Sequence, residues 1–131
     1  MKKVLIIEDD PVARTVYQRF FQANGWATET ASDGIKGLEQ LIAFEPEVVL
    51  LDLMMPRLGG IEVLKKIRAN ESYRELPVLV LTNACVPTVI EQAVQAGATH
   101  VFDKAKDEPP TVLEFVGGLF RAGSHRPPAA N

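Results

Sequence analysis

Glu8 and Asp9, Asp52, Thr82 and Lys104 share one setting: each stands where a short apolar run of the chain stops. Val4 to Ile7 ends at the first two acids, Val48 to Leu51 at Asp52, Val78 to Leu81 at Thr82, and the run from Thr99 at Lys104. A carboxylate at the end of a buried strand costs desolvation energy unless it is paired or used. Three of them gathered together repel, so at least one acquires a raised pKa unless a cation neutralises the group. A hard divalent ion resolves this. Magnesium takes oxygen ligands octahedrally, uses one or two protein carboxylates, and favours water and phosphate oxygens for the rest. The open ligand positions therefore suit a phosphoryl group, with Lys104 supplying charge and Thr82 a hydroxyl. A carboxylate so surrounded can attack phosphorus and carry an acyl phosphate; Asp52 is the candidate.

These residues meet only if four separate segments deliver them to one edge. The short apolar runs, closed by turn residues, read as strands buried on both faces. Asp10-Pro11 is a helix start, an Asp cap before a Pro. Val12, Val16, Phe20 and Ala23, flanked by Ala13 and Tyr17, predict its buried stripe, and Gly25 its stop. Trp26 to Ala31 predicts a second strand. Ile35, Leu38, Leu41 and Ile42 mark the helix behind it, up to Pro46. Ile61, Leu64 and Ile67 predict a third helix fraying through Asn70 to Glu75. Ile90, Ala93 and Val94 predict a fourth, ended by Gly97, and Val112, Phe115, Val116 and Leu119 a fifth. Strand and helix alternate five times with short links, which predicts an α/β fold with a parallel sheet and helices on both faces. In such sheets ligands bind at the carboxyl ends of the strands.

The 131 residues suffice for one domain with an ordinary core, expected over 1–121, with 122–131 a mobile tail. With 47% apolar and 24% charged residues the chain is neither disordered nor membrane-embedded. The start MKKVLIIEDD has too short an apolar segment for a secretory signal. A single cysteine, Cys85, excludes an internal disulfide and fits a reducing, cytoplasmic setting. The net charge of −3 provides no basic patch for nucleic acid.

IIEDD after the first strand, LLDLMMPRLGG around Asp52, LT closing the fourth strand and QAGATHVFDK entering the fifth occur in an order and spacing that is highly specific. Over about residues 3 to 121 the chain resembles the receiver domain of two-component response regulators. The resemblance implies a flavodoxin-like, doubly wound five-stranded sheet of order 2-1-3-4-5. It makes Asp52 the phosphoacceptor, with Asp9 binding Mg²⁺ directly, Glu8 through water, and the Met54 backbone carbonyl as a further ligand. Thr82 and Lys104 would hold the phosphoryl oxygens; Pro56 and Gly60 match the loop after the acceptor.

Three positions depart from the family. Val101 stands where an aromatic switch residue is usual, and Phe102 next to it points to the opposite face. Signalling is therefore expected to run through Thr82 and the Asn83 to Pro87 loop. Ala105 replaces the usual proline after the lysine, and Asp103 an apolar residue. Asp103 is expected to face away from the site.

Plainer roles are available for each residue. Asp52 would cap a loop, Glu8 and Asp9 would start a helix, Thr82 would merely end a strand, and Lys106 competes with Lys104. Asp10 already starts the helix, and only Lys104 directly ends its strand. Met54-Met55 suits loop packing better than a thioether site for so hard an ion. Cys85 and His100 carry no further signal, and His125 lies in the tail.

The expected function is a stand-alone phosphorylation switch, taking a phosphoryl group from a histidine kinase or histidine phosphotransfer protein and passing a conformational change to an unidentified protein. It is not a turnover enzyme, and no nucleic-acid or membrane partner is expected. Gly117-Gly118 inside the last helix, at a cost of about 1 kcal/mol each, suggests a weak terminal helix or a close approach by a second copy. The rivals are a phosphorylation-independent adapter, against which the intact acid cluster speaks, and an aspartyl-nucleophile phosphatase or phosphotransferase. The latter wants a second acid just after Asp52, where Leu53 and Met54 stand.

Overall fold

The computed structural model describes residues 2–55 and 57–121. The expected tail with His125, and Pro56, lie outside the described residues. Five strands form one sheet: β1 (Lys3–Ile7), β2 (Ala27–Ala31), β3 (Val48–Asp52), β4 (Val78–Thr82) and β5 (His100–Asp103). Helices alternate with them: α1 (Pro11–Ala23), α2 (Gly34–Phe44), α3 (Gly60–Ala69), α4 (Pro87–Gln95) and α5 (Pro109–Arg121), with a 3₁₀ turn at Glu71–Tyr73. The order is β2-β1-β3-β4-β5 and every pairing is parallel. This is the doubly wound order that the family resemblance implied.

Parallel strands covered on both sides must be apolar on both faces, and β1, β3 and β4 are buried almost throughout. Alternation divides the core. Leu5, Ile7, Val49, Leu51, Val78 and Val80 face Leu41 of α2, Val63, Leu64 and Ile67 of α3, and Ala93 of α4. Val4, Ile6, Val48, Leu50, Leu79, Leu81 and Phe102 face Tyr17 and Phe21 of α1 and Val112 and Val116 of α5.

Helix boundaries match the sequence signals better than helix faces do. Asp10 caps α1, accepting the Val12 and Ala13 N–H groups, and Gly25 leaves the helix at φ +89°. The stripe expected to be buried on α1 is not the one that is. Val12 and Val16 are 69% and 47% exposed, while Tyr17 and Phe21 are buried. Both stripes are apolar; the rotation that buries two aromatic rings in the core, Phe21 edge-on to Trp26, removes more surface from water than one that buries two valines. On α2, Ile35 and Ile42 are likewise exposed while Gly34, Gly37 and Leu41 are buried, because the glycines let the helix lie close. A Cβ on Gly37 would come within 2.6 Å of Ile7 Cδ1. Val94 of α4 is exposed and its neighbour Ala93 buried. The helix α5 runs unbroken through Gly117 and Gly118; a Cβ on Gly117 would lie 3.1 Å from the Arg121 guanidinium. His100 is exposed, its ring stacked on Phe115 at 4.5 Å.

Gly60 bears directly on the acceptor strand. A Cβ there would lie 2.5 Å from both the Asp52 carbonyl oxygen and Leu53 Cα, neither of which can swing aside. Gly60→Ala is expected to cost about 2 kcal/mol in urea denaturation, through displaced backbone. Gly37→Ala, which meets the Ile7 side chain and no backbone atom, should cost less.

Candidate active site

The carboxyl ends of β1, β3, β4 and β5 bring the expected residues together. Glu8, Asp52 and Thr82 are buried and Asp9 half-buried. One carboxylate oxygen from each of Glu8, Asp9 and Asp52 lies within 4.8 Å of the others. Lys104 reaches across from β5: its Nζ donates to Glu8 Oε1 at 2.8 Å and stands 3.7 Å from Asp52 Oδ1. Lys106 is exposed.

Local backbone geometry fixes each group. The Asp10 N–H donates to Glu8 Oε2 at 3.1 Å. The Met54 N–H donates to Asp52 Oδ1 at 3.2 Å, so the loop after β3 turns back onto the acceptor carboxylate. The Met54 side chain is exposed. Thr82 Oγ1 accepts the Ala84 N–H at 3.0 Å, which ties the hydroxyl to the β4–α4 loop. Asp103 shapes the turn beyond the site, as its N–H donates to Asp107 and its carboxylate accepts the Ala105 N–H. Val101 is half-buried and packs into the core on the α2–α3–α4 side, opposite Phe102.

One cation among three acids leaves the charge unbalanced. Asp52 is pushed up from 3.8 to about 7, first by burial and then by the Glu8 charge, against the opposing pull of Lys104; its hydrogen bond with Asp9 raises it further. Burial alone would lower the Lys104 ammonium, but the Glu8 hydrogen bond and the charges of Asp52, Glu8 and Asp10 hold it raised. The Tyr17 hydroxyl below the cluster is pushed up to about 12 by burial and by the charges of Glu8 and Asp107. The donor set fits a hard divalent cation: it is all oxygen, excess negative, and open on the Asp9 side.

Two contacts near the site were not legible beforehand. Arg14, one turn into α1, donates to the Glu8 carbonyl at 2.9 Å and that of Asp9 at 3.4 Å. An arginine one helical turn beyond an acidic strand end was the available signal. Asp33, buried at the start of α2, forms an ion pair with Arg57 in the loop after the acceptor. That pair spans 24 positions and left no local trace in the sequence.

The family model for the response regulator receiver domain matches residues 4–113. The chain belongs to that family. The response regulator MprA of Mycobacterium ulcerans is 39% identical over 120 residues, which span 92% of this chain and 49% of that protein. MprA of Mycobacterium avium is 38% identical over 120 residues, 92% of this chain and 50% of its own. The receiver chain thus spans about half the length of the curated relatives it matches. Among solved structures, chemotaxis protein CheY4 of Vibrio cholerae superposes with a TM-score of 0.83 at 30% identity, covering 89% of this chain and 97% of that one. The receiver domain of the Francisella response regulator 1452 gives 0.84 at 25% identity, covering 94% and 99%. Among the described residues no helix is long and apolar enough to cross a membrane.

Proposed function

We propose that this receiver domain accepts a phosphoryl group on Asp52 from a phosphohistidine, in a Mg²⁺-dependent reaction, and signals by the rearrangement that follows. The observation that carries this is the meeting of Glu8, Asp9 and Asp52 within 4.8 Å, with the Lys104 ammonium alongside. Asp9, Glu8 through water, Asp52 and the Met54 carbonyl would hold the ion. Bound there, it supplies charge neutralisation to the acids and to the incoming phosphoryl oxygens.

An ionised Asp52 oxygen attacks phosphorus in line. The new O–P bond forms as the P–N bond to the donor imidazole breaks, and the electron pair leaves with the nitrogen. Lys104 hands its ammonium from Asp52 and Glu8 toward the added charge, and the Thr82 hydroxyl donates to a phosphoryl oxygen. Phosphorylation adds nearly two negative charges at the strand end. Turning toward them, Thr82 releases the Ala84 N–H it now accepts, freeing the loop from Asn83 to Val86 to move. With Val101 in place of an aromatic switch, this loop carries the output to a protein partner. Light scattering with beryllofluoride and Mg²⁺ tests for a dimer through Gly117 and Gly118, beside which the Arg121 guanidinium lies.

The receiver is its own substrate in this reaction and not a turnover enzyme. A phosphohistidine donor and a single cysteine are consistent with the cytoplasm. Acetyl phosphate with Mg²⁺, followed by phosphate-affinity gels and mass spectrometry, should add one phosphoryl group at Asp52. Continuous phosphate release over many turnovers would favour a phosphatase, and an unmodified chain an adapter.

A further inference from the structure

The loop from Leu53 to Gly59 carries Met54 beside the acceptor. Among the described residues, its backbone hydrogen bonds sit at its ends: Leu53 N–H to Leu81, Met54 N–H to Asp52 Oδ1, Gly60 N–H to Leu53. Gly59, which opens α3, provides no side-chain cap. Met55 and Leu58 pack against the core, and the start of α2 adds a polar hold on the middle of the loop. Arg57 adopts φ +67°, a left-handed conformation that a side-chain-bearing residue keeps only where its surroundings impose it. Its Nη2 donates to Asp33 Oδ2.

Asp33 is a built anchor. It is 2% exposed, and its other oxygen, Oδ1, accepts the Lys36 N–H at 2.8 Å, capping α2. The Lys36 N–H, more than offsetting burial, and the Arg57 guanidinium hold its carboxyl below the usual range, so it remains charged. Next to it, Gly34 lies so close to the loop that a Cβ would come within 2.5 Å of the Leu58 carbonyl oxygen. The start of α2 thus grips the loop at two successive residues, Arg57 by charge and Leu58 by contact.

We propose that Arg57 is a positioning residue for the phosphoacceptor site: its ion pair with Asp33 latches the loop that carries Met54 and so sets the affinity for Mg²⁺. This inference rests on the function proposed above. The latch also keeps the Arg57 cation on α2, away from the three acids that the ion must neutralise.

The test is calorimetric titration of the full chain with MgCl₂ at low ionic strength, for wild type, Arg57→Ala, Asp33→Asn and the double variant, with melting curves alongside. The Arg57 side chain is 63% exposed, so Arg57→Ala should melt close to wild type; Asp33→Asn keeps a helix cap but loses a carboxylate that the fold holds ionised, so it should melt somewhat lower. Each single change should weaken Mg²⁺ binding about three- to fivefold. The double variant should be no weaker than either single one, since both remove the same contact. Acetyl phosphate labelling should recover at saturating Mg²⁺, which a change in the chemical step would not permit. Single variants that bind Mg²⁺ like wild type, or losses that multiply in the double variant, would overturn the latch. Wild-type chain that binds no Mg²⁺ would remove the proposed function and the latch together, so the two failures are distinguishable.

Discussion

Asp52→Asn is expected to abolish phosphorylation and, in the same molecule, to raise stability at neutral pH by about 2 kcal/mol. Burial and the Glu8 charge lift this carboxyl from 3.8 to about 7 despite the pull of Lys104. The folded pKa lies above the unfolded one, so the folded state holds the proton more tightly. That contribution to stability is fully present below about pH 4, is lost as pH rises toward about 7, and stays lost above it. At about 1.4 kcal/mol per unit the ionised group disfavours folding by roughly 4 kcal/mol. An amide removes the charge but must itself be hydrogen-bonded when buried, so about half of that gain should remain. Urea denaturation in EDTA from about pH 4 to about pH 8 should show wild type losing stability relative to Asp52→Asn, the two converging at the acid end. Parallel curves would mean that Asp52 ionises as an ordinary surface carboxylate. Added Mg²⁺ should stabilise wild type more than the variant.

Lys104→Met should act in the opposite direction, destabilising the apo protein by about 3 kcal/mol at neutral pH. The methionine nearly preserves volume while removing the charge. It leaves Glu8, 1% exposed, without the 2.8 Å partner on Oε1, and leaves Asp52 facing two acids unopposed. In an Asp52→Asn background the same change should cost clearly less, because one of the carboxylates that the ammonium serves is gone. Chemical denaturation of the four proteins in EDTA measures this coupling. Equal losses in both backgrounds would show that Lys104 matters to Glu8 alone. Together the two variants test whether the site keeps charge where folding by itself would not, as functional sites commonly do.

What the chain by itself determined was local and periodic. An apolar run stopped by an acid, a threonine or a lysine is a message about one strand and its end, and it located Glu8, Asp9, Asp52, Thr82 and Lys104 before any packing was known. The caps at Asp10-Pro11 and Gly25 were legible for the same reason, because backbone dihedrals and capping depend on a few adjacent residues. Only the tertiary structure decided which stripe of α1 turned inward. Val12 and Val16 compete there with Tyr17 and Phe21, and the sheet settles that competition through the area it can cover. Only the tertiary structure, too, joined Asp33 to Arg57 and Lys104 to Glu8, positions far apart in the chain that meet because strand ends and helix starts converge on one edge. That one acid of the cluster would have a raised pKa was legible in the strand ends; that it is Asp52 was decided by its burial among them.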